Sequence, residues 1–450
     1  MSVAKIDNFI FEAYMIISLV TAIAVCLSII LLAVFLPQIK IGKISVDTYW
    51  LAAFVGAIVI LISGSVNVGE LFSKMTDNSS VNPIKILVLF ISMTVISVIL
   101  DEVGFFRYLA SRSLSLAKKS QVRLFVILYL TVSVLTVFTS NDIIVLTFTP
   151  FICYFAKNAN IDPRPYLFAE FAAANTMSMT FIIGNPTNIY IASSYGVNFA
   201  ESAAVMILPT LAGSVVAFIS LFLIFRKRLA APVSVTAEKV TIENKPLLYI
   251  GLAVLAVCTV FLAIGSYIGV EMWIVSLISV VFLLLAALVV SAARKTRPTE
   301  LSNALKRAPL QLIPFVLSMF VIILGLTQNG VTDAINSWLG SDNTVLKYGV
   351  SSFLASNLIN NIPMSVLFCP IIQPLAAFGS ETVSQAVYAT VVGSNIGAYL
   401  TPVGALAGIM WLSLLKKHEV KFGYADFIKY GFAVSIPSLA ATLLVLGLIL

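Results

Sequence analysis

Residues 139–150, TSNDIIVLTFTP, and residues 359–370, INNIPMSVLFCP, are the same motif written twice. Each is a short polar cluster followed by an apolar run that ends in proline. Asn141, Pro150, Asn175 and Gly184 recur as Asn361, Pro370, Asn395 and Gly404, all at a shift of 220 residues. Upstream, Ser92, Met93 and Gly104 recur as Ser318, Met319 and Gly330 at a shift of 226, so the copies differ by six residues in a connecting segment. The chain is an internal duplication.

Composition fixes its environment. Of 450 residues 60% are hydrophobic and 10% charged, against roughly 25% charged in a soluble domain. An apolar run needs about 20 residues to cross a bilayer, and ten qualify: 10–36, 48–64, 83–100, 164–192, 202–226, 247–266, 270–291, 310–327, 384–412 and 423–449. Two more blocks, 122–157 and 344–378, are interrupted midway by the polar clusters and read as re-entrant hairpins. The expected architecture is an all-α polytopic membrane protein. A first repeat (1–228), a cytoplasmic linker (229–246) and a second repeat (247–450) each follow in order. Each repeat has five spans and one hairpin. The first apolar run is too long for a cleaved secretory signal, and only Lys5 precedes it.

Charge predicts the orientation. With both termini outside, the inner segments 37–47, 101–123, 156–164, 226–246, 292–309 and 412–429 hold 23 of the 27 Lys and Arg residues. Five spans per copy is an odd number, so the second copy is inverted. The formal charge of +7 then reports membrane orientation and excludes no-membrane readings such as nucleic-acid binding. Cys26, Cys153, Cys258 and Cys369 are scattered, with no metal-ligand spacing, and His418 is the one histidine. Neither a disulfide framework nor a metal site is expected.

Polar interruptions at membrane depth carry the chemistry, because backbone that leaves a helix there must be buried in protein or line a cavity. The hairpin tips offer Ser140, Asn141 and Asp142 in one copy and Asn360 and Asn361 in the other. Spans 164–192 and 384–412 carry breaks of their own, Gly184-Asn185-Pro186-Thr187-Asn188 and Thr401-Pro402-Val403-Gly404. Proline favours a first helical position and Asn or Thr a cap, so each span reads as two half-helices, with a new N-terminus at Pro186 or Pro402. Such a terminus holds an anion or a polarised oxygen without arginine. The opposing ends can hold a cation, and Ser140, Asn141 and Asn185 are the expected contacts for sodium. Duplicated halves with matching helix breaks mark a secondary transporter whose site lies where the halves meet.

Asp142 is the first candidate for coupling transport to protons or sodium, since an ionisable group at membrane depth costs at least about 2.5 kcal/mol on insertion. Its counterpart Ile362 is apolar. The alternative role is capping a helix that starts at Ile143. Glu170, matched by Thr390, is the second candidate, though it lies only six residues after Arg164, about 9 Å up a helix. Asp101 and Glu102 end a span beside a basic segment and are expected to form interfacial ion pairs. No cofactor is expected. A passive channel would ignore ion gradients; an intramembrane enzyme would need a nucleophile–base pair or metal cluster, and one loop histidine disfavours a Ser/His or zinc mechanism while leaving an aspartyl dyad open. No Gly-rich phosphate loop occurs, so the chain does not drive transport with ATP by itself.

These motifs resemble the ion transporter superfamily, and most closely its arsenite/antimonite efflux permeases and melanosomal P-protein relatives. Asn141, Asp142, Val145, Leu146, Thr149 and Pro150 resemble the first tip of that branch. Ser356, Asn357, Leu358, Asn360, Asn361 and Pro363 resemble the second. Gly393, Asn395, Gly397, Leu400, Thr401, Gly404, Leu406, Ala407 and Trp411 resemble its second broken helix; Pro402 and Ala405 depart from it. The resemblance implies export of arsenite or antimonite across the plasma membrane in exchange for protons. It also brings in a homodimer and a separate ATPase subunit as partners. Within the superfamily a sodium/proton antiporter and a sodium-coupled carboxylate carrier are the alternatives. Dicarboxylate carriers have Ser-Asn-Thr at both tips, whereas this chain has Ser140-Asn141-Asp142 and lacks Ser and Thr at the second. No arginine falls within an expected span, which disfavours a clamp for a multiply charged anion. Neutral arsenite, with three hydroxyls, suits a cage of Asn, Thr and backbone groups.

Overall fold

The computed structural model describes residues 3–36, 38–41, 44–78, 82–117, 120–231 and 240–450. In the first half α1 (Val3–Phe35) leads through a small antiparallel pair, β1 (Gln38–Ile41) and β2 (Ile44–Asp47), into α2 (Tyr49–Ile62) and α3 (Val68–Thr76). Then come α4 (Pro83–Glu102) and α5 (Phe105–Ala117), followed by the first hairpin, α6 (Gln121–Phe138) and α7 (Asn141–Ala159). The half closes with α8 (Arg164–Met177), α9 (Pro186–Ser194) and α10 (Phe199–Leu229).

The second half repeats this plan. It runs α11 (Lys245–Gly265), α12 (Met272–Ala293), α13 (Thr299–Arg307), α14 (Leu312–Gln328) and α15 (Val331–Leu339). The second hairpin is α16 (Thr344–Ile359) and α17 (Asn361–Ile372). After it come α18 (Ser380–Gly397), α19 (Leu406–Lys417) and α20 (Tyr424–Ile449). The expected linker 229–246 overlaps the end of α10 and the start of α11, the segment between them being 230–244, of which 232–239 lie outside the described residues.

Among the described residues nine helices are long and apolar enough to cross a membrane. This number differs from ten because length alone selects differently: the hairpin helices Gln121–Phe138 and Asn361–Phe378 qualify, while the broken spans and the short α2 do not. The chain is a multi-pass, nearly all-helical membrane protein, with the β1–β2 pair as its one departure among the described residues. Four short helices, α3, α5, α13 and α15, sit between the spans; sequence reading treats them as connections because apolar run length is blind to amphipathic segments of 9 to 13 residues.

Packing between the halves is reciprocal. α2 packs on α14 and α12 on α4; α10 and α20 pack on each other. The hairpin helix α7 lies against α19, and its counterpart α17 against α9. Each hairpin therefore braces the broken span of the other half. α8 itself meets the other half through aromatic rings: Phe171 lies tilted at 5.1 Å from the buried Trp411 of α19, and Phe168 meets Phe427 of α20 edge-on at 5.5 Å. Such pairs add about 0.5–1.5 kcal/mol beyond area burial, which holds the half-helices in register around the breaks.

Candidate functional site

In the first hairpin, α6 ends at Phe138 and two extended residues, Thr139 and Ser140, turn the chain into α7. Asn141 is the first residue of α7, and its Nδ2 donates to Asn175 Oδ1 at 3.0 Å. Asn175 in turn donates to the Phe171 carbonyl of its own helix at 2.9 Å. The tip is thus tied to the end of α8.

α8 stops at Met177, and after a single 3₁₀ turn over Ile182–Gly184 the chain restarts as α9. Asn185 is extended (φ −149°, ψ 140°) and caps the new helix by accepting from Thr187 N at 3.2 Å, with Pro186 at the first helical position. Gly184 is required by close approach: a Cβ there would run into the Ser178 backbone. Asn188 Nδ2 donates to the Ser178 carbonyl at 2.8 Å and closes the loop.

Asn395, from the second broken span, joins this first break. Its Oδ1 accepts from Ser178 Oγ and from Asn185 Nδ2, each at 2.8 Å. Its Nδ2 donates to Asn188 Oδ1 at 2.6 Å and to the Val391 carbonyl at 2.7 Å. Ser178 Oγ also reaches the Asn175 carbonyl at 2.8 Å. Asn141, Asn175, Ser178, Asn185, Asn188 and Asn395 therefore form one buried network across the two halves. Thr187 lies at its edge, 3.5 Å from Asn188 Oδ1.

A second cluster surrounds the other tip. Asn360 turns the chain with φ +72°, accepts from Ile362 N at 3.3 Å and donates to the Val403 carbonyl at 3.0 Å. Asn357 Oδ1 accepts from both the N–H (3.1 Å) and Oγ1 (2.7 Å) of Thr401, while its Nδ2 donates to the Gly397 carbonyl at 3.1 Å. A Cβ on Gly404 would collide with the Gly397 carbonyl and approach Asn357 Oδ1. The second break corrects one expectation: Pro402 opens a 3₁₀ turn, Pro402–Gly404, and α19 starts only at Leu406, after Ala405 with no side-chain cap. The physical reason is register. Shifted by 220, Pro402 stands opposite Ile182 of the first 3₁₀ turn, not opposite Pro186.

Several expected residues stand apart from both clusters. Asp142 is half-buried in the first turn of α7, where the helix dipole favours an anion, and it has no hydrogen-bond or ion-pair partner among the described residues. The helix begins at Asn141, so the capping role at Ile143 is not what Asp142 does. Asn361 is buried but makes no side-chain hydrogen bond, since the four bonds of Asn395 are all spent elsewhere. Glu170 is 1% exposed, and both its oxygens lie 3.1 Å from Thr149 Oγ1. Of the three residues expected to meet sodium, Asn185 already spends its oxygen on Thr187 N, whereas Ser140 Oγ and Asn141 Oδ1 are buried without a partner. Asp101 and Glu102 do pair, both with Arg307 of α13.

Sequence reading missed Ser178 and Asn357 as site residues. Asn357 carried a signal, standing three residues before the tip at Asn360; Ser178 carried none. Four helix N-termini, those of α7, α9, α17 and α19, supply free N–H groups around these amides. No Lys or Arg takes part in either cluster's hydrogen bonds. The arrangement can bind a small polar solute by hydrogen bonding, without a cationic clamp.

Reciprocal broken spans and hairpins, with amides gathered where the halves meet, define a secondary membrane transporter. The chain belongs to the family described as "Citrate transporter", whose model matches residues 9–393, within the ion transporter superfamily. It is 26% identical over 421 residues to an arsenical pump membrane protein of Escherichia coli, covering 88% of this chain and 92% of that relative. It is likewise 26% identical over 435 residues to an arsenical pump membrane protein of Yersinia enterocolitica, with 93% and 96% covered. Among solved structures, the Alcanivorax borkumensis YdaH transporter shares the fold with a TM-score of 0.56 at 16% identity, over 96% of this chain and 97% of that one.

Proposed function

We propose that this transporter exports arsenite or antimonite in exchange for protons across the plasma membrane, with both termini outside. The observation that carries the reading is the chemistry of the first tip. Ser140 Oγ and Asn141 Oδ1 are buried and unpartnered at the edge of a network made only of amides and hydroxyls, and buried polar atoms of this kind normally have partners. A neutral solute with three hydroxyls supplies donors to both without an uncompensated charge. The names of the E. coli and Y. enterocolitica relatives support the same substrate class.

Asp142, one residue beyond these oxygens and free of partners, is the proposed carrier of the coupling proton. Glu170, held by Thr149 alone, is the second. The family's description favours another reading, a sodium-coupled carrier of a carboxylate such as citrate. Against it stands the lack of any Lys or Arg in the hydrogen bonds of either cluster, since a tricarboxylate is ordinarily held by charge-assisted, bidentate pairs. A homodimer and a separate ATPase subunit remain part of the proposal by resemblance alone.

The test is arsenite uptake into everted membrane vesicles carrying the protein, with a proton gradient imposed and then collapsed, for the native chain and Asp142→Asn. Accumulation that needs the gradient and disappears in the variant supports the reading. Citrate uptake driven by sodium, with no movement of arsenite, replaces it by the carboxylate carrier.

A further inference from the structure

Away from the two clusters, a cavity of about 320 Å³ opens between α9, α14 and the hairpin helix α17. Its rim is polar and exposed, with the charged Lys74 and Asp77 and the neutral Gln373. Its floor is buried: Tyr190, Phe320 and Val366 are 5%, 7% and 2% exposed. Exposure thus falls along three separate helices at once, from Tyr195 to Tyr190, from Thr327 to Phe320 and from Gln373 to Val366. At 1.5 Å per residue these stretches descend about 7–10 Å.

The floor lies close to the transport site. Tyr190 is two residues beyond Asn188, about 3 Å along α9, and Val366 is five residues beyond Asn361, about 7 Å along α17. The walls are mostly apolar, with Ile323, Leu324 and Phe320 among them, but hydroxyls punctuate them. Tyr190, Tyr195, Ser194 and Thr327 bring hydroxyls, and Pro370 has no N–H to give the Val366 carbonyl one turn before it. The Tyr195 hydroxyl donates to the Cys369 carbonyl and fixes α9 to α17 at mid-height. The rim is also built. Gln328 accepts from Asn67 N at 2.9 Å and donates to Glu70 at 2.6 Å, tying α3 to the end of α14, and Glu70 holds Lys74 at 3.0 Å.

We infer that this cavity is the outer vestibule of the transport path, through which a small hydroxylated solute passes between the site and the exterior. The inference rests on the transporter reading for what crosses it. In the orientation proposed above, with both termini outside, the ends of α3, α9, α14 and the second hairpin lie on the outer face, so the rim faces the exterior while the floor reaches both a broken span and a tip. A cavity that served only as a gap between helices would have no reason to descend in step along elements of both halves.

The test is side-specific thiol labelling, which reads access without needing flux. In a chain with all four native cysteines replaced by serine, Thr327→Cys and Ser194→Cys are exposed to a charged, membrane-impermeant maleimide. One preparation is intact cells and the other everted vesicles; a third variant keeps Cys369 as its single thiol. We expect labelling of Thr327→Cys and Ser194→Cys from intact cells, complete loss of labelling when the reagent reaches only the inner face, and slower labelling of the deeper Cys369. Labelling by a neutral, membrane-permeant maleimide but not by the charged one from either side would make the cavity a lipid-facing gap and overturn the inference. Labelling from the inner face would overturn it too. Reactivity in detergent and a native melting temperature verify that each variant is folded. Arsenite flux is measured separately on the native chain, so a vestibule that labels in a protein that moves no arsenite leaves this inference standing and removes the substrate.

Discussion

Asn395 of the second half is hydrogen-bonded to Asn188 of the first at 2.6 Å, and the same side chain accepts from Asn185 at 2.8 Å. One residue thereby closes the first break from across the pseudo-symmetric interface. Replacing it with alanine strands the amide of Asn185 and the oxygen of Asn188 in a buried site. Each such loss costs about 1–3 kcal/mol, so Asn395→Ala is expected to lower the melting temperature of the purified protein and to abolish transport. Asn361→Ala, at the equivalent amide of the other pair, removes no side-chain hydrogen bond and should melt like the native chain.

Gly184 and Gly404 are expected to be intolerant of a single methyl group. A Cβ at either would press on backbone, that of Ser178 or of Gly397, which cannot swing aside as a side chain can. Gly184→Ala and Gly404→Ala should each shift a break and suppress transport in vesicles. Gly447→Ala, whose Cβ would sit an ordinary 3.9 Å from Val345, should transport normally.

Glu170 and Thr149 form an isolated buried pair, and their responses should be non-additive. Thr149→Val removes the one hydroxyl that faces both carboxyl oxygens and is expected to destabilise by about 1–3 kcal/mol. Thr149→Val combined with Glu170→Leu removes both polar groups and should recover much of that loss. Thermal unfolding of the two single variants and the double variant decides the matter; an additive result would mean that the two side chains are not coupled.

Asp162, in the turn between α7 and α8, gives the protein an acid limit. Burial would raise its pKa, but hydrogen bonds and charge from Arg164 at 2.8 Å, with Arg228 at 2.7 Å, outweigh that and hold the carboxyl below its ordinary value. The folded-state pKa is thus lower than the unfolded one. Its contribution to stability is complete above the ordinary carboxylate value of about 4 and is lost as pH falls through the folded value. Melting temperature against pH should fall at the acid end in the native chain and less in Asp162→Asn.

Much of the fold is legible in the sequence, for a physical reason. Hydrocarbon demands long apolar runs and penalises unsatisfied backbone, so spans, hairpins and breaks all leave gaps in hydrophobicity, and the duplication shows each gap twice. Contacts leave no such trace. The repeat equates Asn141 with Asn361 and Asn175 with Asn395, which suggests two equal pairs. In the structure one pair forms, because Asn395 is drawn to Ser178, Asn185 and Asn188, whose counterparts are Ala398, Ala405 and Gly408. The start of α19 is hidden by the same limit: proline fits a 3₁₀ turn as readily as the first turn of an α-helix, and residue type alone does not choose between them.

The bonds between Asn395 and the first break also set a timetable for biosynthesis. Asn188 leaves the ribosome 207 residues before its partner, and at about 5–20 residues per second that interval is roughly 10–40 s. Throughout it Ser178, Asn185 and Asn188 occupy the bilayer without the amide that satisfies them, and α2 is still without the α14 surface on which it packs. A nascent first half is therefore an incomplete object that the insertion machinery must shelter, and the polar centre is sealed only when the second half is threaded in beside it.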